Sequence, residues 1–164
     1  MLRIAGIEKE SITDGVGIRY TVFTQGCKHK CLGCHNPETH DINGGYDIAI
    51  DEIIEDLKSN PLLDGITLSG GDPFFQAKEC TKLLVRIRKE LKHLNVWAYS
   101  GFTFEQLLRN KDMREMLELV DVLVDGRFVL ERRTLESRFK GSENQRIIDV
   151  RKSLENNKVI CIQL

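Results

Sequence analysis

"GITLSGGDPFFQAKECTKLLVRIRKELKHLNVWAYSG", residues 65–101, holds two short apolar runs on either side of a long helical pattern. Residues 65–71 predict a strand that ends in glycines, and residues 95–101 predict a second strand. Between them, one stripe at helical spacing contains Ala77, Cys80, Leu84, Ile87 and Leu91. A strand, a helix and a strand in this order indicate two parallel strands joined by a right-handed crossover.

The same alternation continues on both sides of this unit. Residues 19–25 are rich in β-forming residues, residues 50–57 have helical spacing, and residues 121–128 predict another strand. Thr103 and Gln106 predict a capping box at the start of a further helix. Strands and helices that alternate in this way indicate a parallel sheet.

Two C-terminal segments extend the pattern less clearly. "QRIIDVRKSL", residues 145–154, fits either a strand followed by a turn or a helix, and "KVICIQL", residues 158–164, predicts a last strand. Cys161 in that strand and Cys80 on the helical stripe are interpreted as small buried core residues.

The predicted fold class is α/β, with about four to six βα units forming a partial, incomplete βα barrel. A full barrel of eight units needs about 200 residues or more, and this chain has 164. A flat, doubly wound sheet is the alternative architecture. We expect one domain over residues 1–164, since domains of about 100–200 residues are common.

The composition of the chain indicates which binding partners and which cellular compartment to expect. The formal net charge of −1 argues against broad electrostatic capture of nucleic acid or of an anionic membrane. No apolar run approaches a membrane span, and the N-terminal residues lack a signal peptide pattern, so a cytoplasmic protein is expected. Five cysteines in a reducing compartment indicate metal binding or catalysis rather than disulfides.

The polar motifs follow the predicted parallel strands. "GC" comes after the first strand, "SGGD" after the second, "YSG" after the third and "VDGR" after the fourth. Because ligands bind at the carboxyl ends of parallel strands, we expect these four motifs to meet at one site.

Three cysteines dominate that site. "CKHKCLGC" places Cys27, Cys31 and Cys34 at the spacing C-x3-C-x2-C. A structural zinc site has four protein ligands, so a Cys3His zinc site completed by a nearby histidine is one interpretation. The other is a four-iron cluster on three thiolates, which leaves one iron open for a substrate, as catalytic zinc sites leave one position open.

The "CKHKCLGC" segment resembles the signature of radical S-adenosylmethionine enzymes. Together with "SGGDPF", "YSGF", "DVLVDGRF" and "RFKGSENQR", it makes the chain similar to the activating proteins of anaerobic ribonucleotide reductases, from about residue 6 to residue 154. The resemblance implies that Cys27, Cys31 and Cys34 bind a [4Fe–4S] cluster whose open iron is chelated by S-adenosylmethionine. One electron then cleaves this molecule to a 5′-deoxyadenosyl radical, which takes a hydrogen atom from a glycine of the reductase.

The resemblance also implies which residues contact S-adenosylmethionine. Backbone at Gly33, Cys34 and His35 corresponds to the adenine contact. The amino-group motif corresponds to Ser69, Gly70, Gly71 and Asp72, although Asp72 is a methylene shorter than the usual glutamate and equally suits a helix cap. Polar residues lining the same pocket correspond to Ser100, Asp125 and Arg127.

The implied partners are the large subunit of an anaerobic ribonucleotide reductase and a low-potential electron donor such as flavodoxin; neither nucleic acid nor membrane is expected. Alternatives remain open at this point. The chain could activate another glycyl radical enzyme, of the pyruvate formate-lyase type, or modify a small molecule. It could also be a non-catalytic zinc or iron–sulfur binding module.

Overall fold

A computed structural model describes residues 1–164. From β3 onward the chain alternates strands with helices, whereas its first two strands follow each other directly. The strands are β1 (Leu2–Ser11), β2 (Arg19–Thr24), β3 (Tyr46–Ile48), β4 (Gly65–Gly70), β5 (Asn95–Tyr99), β6 (Val122–Asp125) and β7 (Arg146–Asp149). The α-helices are α1 (Ile50–Ser59), α2 (Ala77–Glu90), α3 (Phe104–Leu108), α4 (Lys111–Leu117) and α5 (Val150–Asn156).

All seven strands form one sheet in the order β3-β1-β2-β4-β5-β6-β7. Its centre is parallel, because β2, β4, β5 and β6 pair in the same direction. β1 runs antiparallel to β2 and β3, and β7 runs antiparallel to β6. The predicted α/β class with a parallel sheet is therefore confirmed, and antiparallel strands flank it on both sides.

The helices cover one face of the sheet. Aliphatic side chains from α1 and α2 pack with Ile66, Leu68 and Val96 in a core of 29 buried residues. Because successive strand residues point to opposite faces, Trp97 and Val124 lie on the other face, where they pack with Phe139 and Ile147. A cavity lies on this second face of the sheet. No helix of the chain combines the length and the apolarity needed to cross a membrane.

Several local predictions are confirmed. In α2, Ala77, Cys80, Leu84 and Ile87 are all buried. The capping box is present, because the Thr103 side chain accepts from the backbone N–H of Gln106 while the Gln106 side chain accepts in return. Residues 145–154 contain both predicted alternatives in succession, since strand β7 leads directly into helix α5.

The predicted last strand, residues 158–164, is wrong. The segment makes only an isolated bridge, between Ile148 and Cys161. The possible partner strand, β7, is four residues long and turns into α5 at Val150, so little backbone is left to pair with. Cys161 is consequently exposed rather than part of the core, whereas Cys80 is fully buried as expected.

Candidate active site

A cavity of about 400 Å³ lies at the carboxyl ends of the parallel strands. β2 and β4 end at the same level, because Thr24 pairs with Gly70 in the parallel register. The motifs after the strands therefore converge, as the sequence predicts. The predicted site residues that line the cavity are Cys27, Cys31, Cys34, His35, Ser69, Gly70, Gly71 and Ser100.

The three cysteines lie in the segment between β2 and β3, residues 25–45, which we call the cysteine loop. Backbone bonds close its base, since Gly26 N–H donates to the Thr39 carbonyl at 2.7 Å and Cys27 N–H to the His40 carbonyl at 3.2 Å. The buried amide of Gln25 donates to the carbonyls of Glu38 and Asp41. These hydrogen bonds hold the two ends of the cysteine loop together, so the loop is compact.

The three thiols are half-buried. Burial raises the pKa of Cys27 to about 11, partly opposed by the backbone N–H of His29. The backbone N–H of Asn36 donates to Cys34 Sγ at 3.4 Å, and His40 Nε2 lies 3.3 Å from the same sulfur. Hydrogen bonds of this kind stabilise a thiolate that binds iron and influence its reduction potential.

The donor set fits a cluster better than a single ion. No three side chains among His, Cys, Asp and Glu converge closely enough to hold one metal ion. A four-iron cluster makes a different demand, because each thiolate binds a separate iron. Three thiols that share one cavity satisfy that demand, whereas the Cys3His zinc site gains no support from this arrangement.

The glycine turn after β4 packs directly against the cysteine loop. Gly70 has a φ of +97°, a conformation that favours glycine. Gly71 N–H donates to the Thr24 carbonyl at 2.8 Å, and Asp72 N–H donates to the Gly26 carbonyl at 3.0 Å. Without side chains at 70 and 71, the turn can lie this close to the end of β2.

Asp72 lies in the interior and does not line the cavity. Its Oδ1 accepts from Phe74 N–H at 3.0 Å, which caps the short 3₁₀ helix Pro73–Gln76. Its Oδ2 accepts from Ser100 Oγ at 2.8 Å and Gly101 N–H at 3.0 Å, and lies 2.6 Å from His29 Nε2. Both carboxylate oxygens of Asp72 therefore have protein partners, and its contact with the amino group of a ligand stays a prediction.

Asp125 and Arg127 are also absent from the cavity lining. Asp125 is buried at the N-terminus of α3, where it accepts from Phe104 N–H at 2.7 Å. Both of its oxygens pair with the guanidinium of Arg146, and this pairing raises the pKa of Arg146. Arg127 is exposed. Asp125 thus joins α3 to β7, and the expectation that these two residues contact the ligand stays a prediction.

Gly33 lies beside the cavity rather than on it. Its φ is +76°, and a β-carbon at this position would meet the side chains of Leu130 and Phe128. The ring of His35, two residues later, contacts Phe128 with ring centroids 4.9 Å apart and does line the cavity. The backbone turn at Gly33 therefore brings the third cysteine and His35 to the cavity surface.

A second loop, residues 126–145, forms another part of the cavity wall. The sequence predicts a functional loop at 131–145 from its length alone, without a role. Its cavity-lining residues include Thr134, Leu135, Arg138, Phe139, Lys140 and Gln145. Gln145 organises the loop, because its Oε1 accepts from the N–H groups of Gly141 and Ser142 and its amide donates to the Gly126 carbonyl.

Arg19 is a buried residue of the "DGVGIR" segment, which resembles a turn at the pocket mouth where Asp14 and Arg19 could pair; the guanidinium instead binds other groups. Its guanidinium donates to Thr67 Oγ1 and to the carbonyls of Val16 and Ile66, and lies 5.5 Å from the centre of the Trp97 ring. Burial lowers its pKa to about 10. Arg19 thereby holds the turn that follows Thr13 and Asp14, two further cavity residues, against the sheet.

Comparisons with known proteins agree with this site. Residues 13–148 match a family described as a 4Fe–4S single cluster domain. An anaerobic ribonucleoside-triphosphate reductase-activating protein from Escherichia coli (strain K12) is 36% identical over 140 residues, which cover 82% of this chain and 90% of that protein. A protein of the same name from Haemophilus influenzae is 35% identical, with 82% and 89% covered. The solved structure of QueE from Escherichia coli superposes with a TM-score of 0.48 at 11% identity, over 76% of this chain and 70% of that one, which is too weak to carry an argument.

Proposed function

Because the chain belongs to the family of anaerobic ribonucleoside-triphosphate reductase-activating proteins, we propose that it activates such a reductase by generating a glycyl radical on it. One observation carries the proposal: three cysteine thiols share a single cavity at the carboxyl ends of parallel strands. The chain is then an enzyme of the radical S-adenosylmethionine type, whose protein substrate is the large subunit of the reductase.

Cys27, Cys31 and Cys34 are the residues that would hold a [4Fe–4S] cluster. A fourth protein ligand is not needed, because the open iron is the place for S-adenosylmethionine. The cavity volume of about 400 Å³ supports a small-molecule ligand, since such pockets measure about 300–1,000 Å³. A bound, reduced cluster would supply the one electron that splits S-adenosylmethionine into methionine and a 5′-deoxyadenosyl radical, for transfer of a hydrogen atom from the target glycine.

The residues of the chain would position the ligand and exclude water, while the cofactors would carry out the chemistry. Backbone at Gly70 and Gly71, together with Ser69, would meet the amino group of the ligand. Backbone at Cys34 and His35, with Gly33 shaping the turn, would lie against its adenine. Ser100, from the end of β5, would complete the lining. The second loop would exclude water, which a reactive radical requires.

The proposed fold in finer terms is a partial βα barrel that forms one domain over residues 1–164. Four parallel strands with helices on one face support it, and β3 and β7 are the two edge strands of the sheet. An incomplete barrel leaves an open side where a large protein substrate can present a glycine. A low-potential donor such as flavodoxin would supply the electron.

The test uses anaerobically reconstituted protein, S-adenosylmethionine, a chemical reductant and the large subunit of an anaerobic ribonucleotide reductase. We expect about four irons per chain and a glycyl radical on the reductase in the electron paramagnetic resonance (EPR) spectrum. Pyruvate formate-lyase in a parallel sample should give no radical. A colourless protein that holds one zinc ion would overturn the proposal, as would a radical on pyruvate formate-lyase alone.

A further inference from the structure

We propose that His29 and Asp72 form a buried clamp that fixes the cysteine loop against the carboxyl ends of β4 and β5, which makes His29 a positioning residue for the cluster ligands. The inference deepens the proposed function and rests on it for the identity of the cluster. In this proposal the carboxylate of Asp72, in the "GGD" motif, contacts the cysteine loop of the same chain.

His29 occupies the middle of the three residues between Cys27 and Cys31. Its side chain is 4% exposed, whereas its neighbours Lys28 and Lys30 are exposed. Lys30 adopts a φ of +55°, so the backbone reverses immediately after His29. The loop therefore turns one side chain inward and two outward, and the inward one is the histidine.

The imidazole of His29 is held by contacts on several sides. Its ring centre lies 4.6 Å from that of Phe102 and 5.3 Å from that of Phe75. The backbone of Gly101 lies so close that a β-carbon there would overlap the ring. Phe75 follows β4 and the other two residues follow β5, so the ring joins the cysteine loop to two strands at once.

The polar end of the clamp is Asp72 Oδ2, which lies 2.6 Å from His29 Nε2. The same oxygen accepts from Ser100 Oγ and Gly101 N–H, so it connects the ends of β4 and β5 as well. A buried carboxylate requires such donors. Asp72 is fully buried, and His29, which also lines the cavity, has a side chain that is only 4% exposed, so the contact lies at the inner side of the cavity wall.

This clamp reaches the two cysteines that flank His29. A backbone bond from Asp72 N–H to the Gly26 carbonyl anchors the residue before Cys27, and the histidine anchors the residues before Cys31. These contacts hold the backbone on both sides of Cys27 and before Cys31 without any contribution from iron. Loss of such an outer residue typically weakens metal binding about 10- to 100-fold.

The test compares His29→Ala, His29→Gln and the matched control Lys28→Ala, each reconstituted anaerobically. The readouts are the rate at which an iron chelator removes the cluster and the EPR line shape of the reduced cluster. We expect His29→Ala to lose iron at least about tenfold faster with a broadened signal, and His29→Gln to recover most of the loss, since its amide nitrogen can replace Nε2. Lys28→Ala should match the unchanged protein. Circular dichroism of the iron-free chains verifies that each variant is folded.

Asp72→Asn separates the clamp from a ligand contact. The variant retains an oxygen for the cap on Phe74, so it is expected to fold. The clamp implies that His29→Ala adds little to Asp72→Asn, so that the double variant loses iron no faster than Asp72→Asn alone. A carboxylate that binds the ligand instead implies that only Asp72→Asn loses the spectral change on adding S-adenosylmethionine.

The outcomes distinguish the clamp from the proposed function. Equal cluster retention in His29→Ala and the unchanged protein overturns the clamp, even when the reductase is activated. Failure of the unchanged protein to form a glycyl radical overturns the proposed function, while faster iron loss in His29→Ala still supports the clamp. A Gln variant as weak as the Ala variant also counts against it, because the proposed contact is a hydrogen bond.

Discussion

The cysteine loop and the second loop line the same cavity but are held by different kinds of contact. The cysteine loop sends Gln25 and His29 into the interior, where each makes buried polar contacts. The second loop is held chiefly by bonds within itself, such as Thr134 N–H to the Gly141 carbonyl, and by one buried ring, Phe139. It contains many exposed charged side chains between residues 131 and 143.

This difference in contacts indicates that the two loops have different roles. A wall that holds an inorganic cluster has to be set before the metal arrives, because ligand positions decide whether the cluster binds. A wall with few buried side chains opens at lower free energy, and such segments commonly serve access to a site. The following experiments test the two walls separately.

The largest effect is expected from the cysteines themselves. Cys27→Ala, Cys31→Ala and Cys34→Ala should each lose the cluster and reduce S-adenosylmethionine cleavage to background, because two thiolates do not hold a four-iron cluster. Iron content and product analysis by chromatography measure this. Cys80→Ser is the matched control: it should keep its iron while losing about 1–3 kcal/mol of stability from the buried hydroxyl. Full activity in any of the three variants would contradict the ligand assignment.

Gly101→Ala should displace His29 of the cysteine loop, although Gly101 itself lies outside that loop. The added β-carbon would overlap the ring of His29. Overpacking of this kind lowers the free energy of unfolding by about 1–3 kcal/mol. We expect slower cluster assembly and faster iron loss, measured by the visible absorbance of the reconstituted protein. Gly141→Ala is a comparison in the second loop, where the β-carbon would lie 3.1 Å from the Phe128 ring and 3.4 Å, an ordinary contact distance, from the His35 ring; it should assemble the cluster normally. Equal assembly in both variants would mean that the two walls do not differ.

Phe139→Ala should loosen the second loop alone. The ring packs on Trp97 with centroids 5.2 Å apart, and truncation of a buried Phe costs up to about 3–5 kcal/mol. We expect trypsin to cleave faster at Arg132, Arg133 or Arg138, with iron content unchanged. The glycyl radical yield should fall about tenfold, because positioning errors are costly in this kind of chemistry. Phe139→Leu keeps most of the packing and serves as control; a loss of iron in Phe139→Ala would refute the separation.

The smallest effect is expected at Cys161. The side chain is exposed and lies outside the strands. Cys161→Ser should change the free energy of unfolding by less than about 0.5 kcal/mol and leave the iron content untouched. Denaturant unfolding of the iron-free chain measures the first and a colorimetric iron assay the second. A clear loss of stability would restore the interpretation of Cys161 as a core residue.

Elements whose signals are local were predictable. The helix α2 and the Thr103 cap depend on residues a few positions apart. β1 was missed because register shifts between Ile4 and Gly6 and between Glu8 and Ser11 interrupt the alternation of a regular strand. β3, with three residues, is too short to show a period. The cysteine loop and the glycine turn line one cavity, as the sequence predicts, because both follow parallel strands.

The orientation of the two aspartates could not be predicted in this way. Asp72 lies just after β4 and Asp125 is the last residue of β6, and the resemblance implies that both contact a ligand. Each instead pairs with a residue distant in the chain, His29 in one case and Arg146 in the other. A carboxylate removed from water is directed by whichever donors the fold brings to it. Neighbours along the chain specify strands, caps and the three thiols, whereas donors assembled by the packed sheet specify where those carboxylates point.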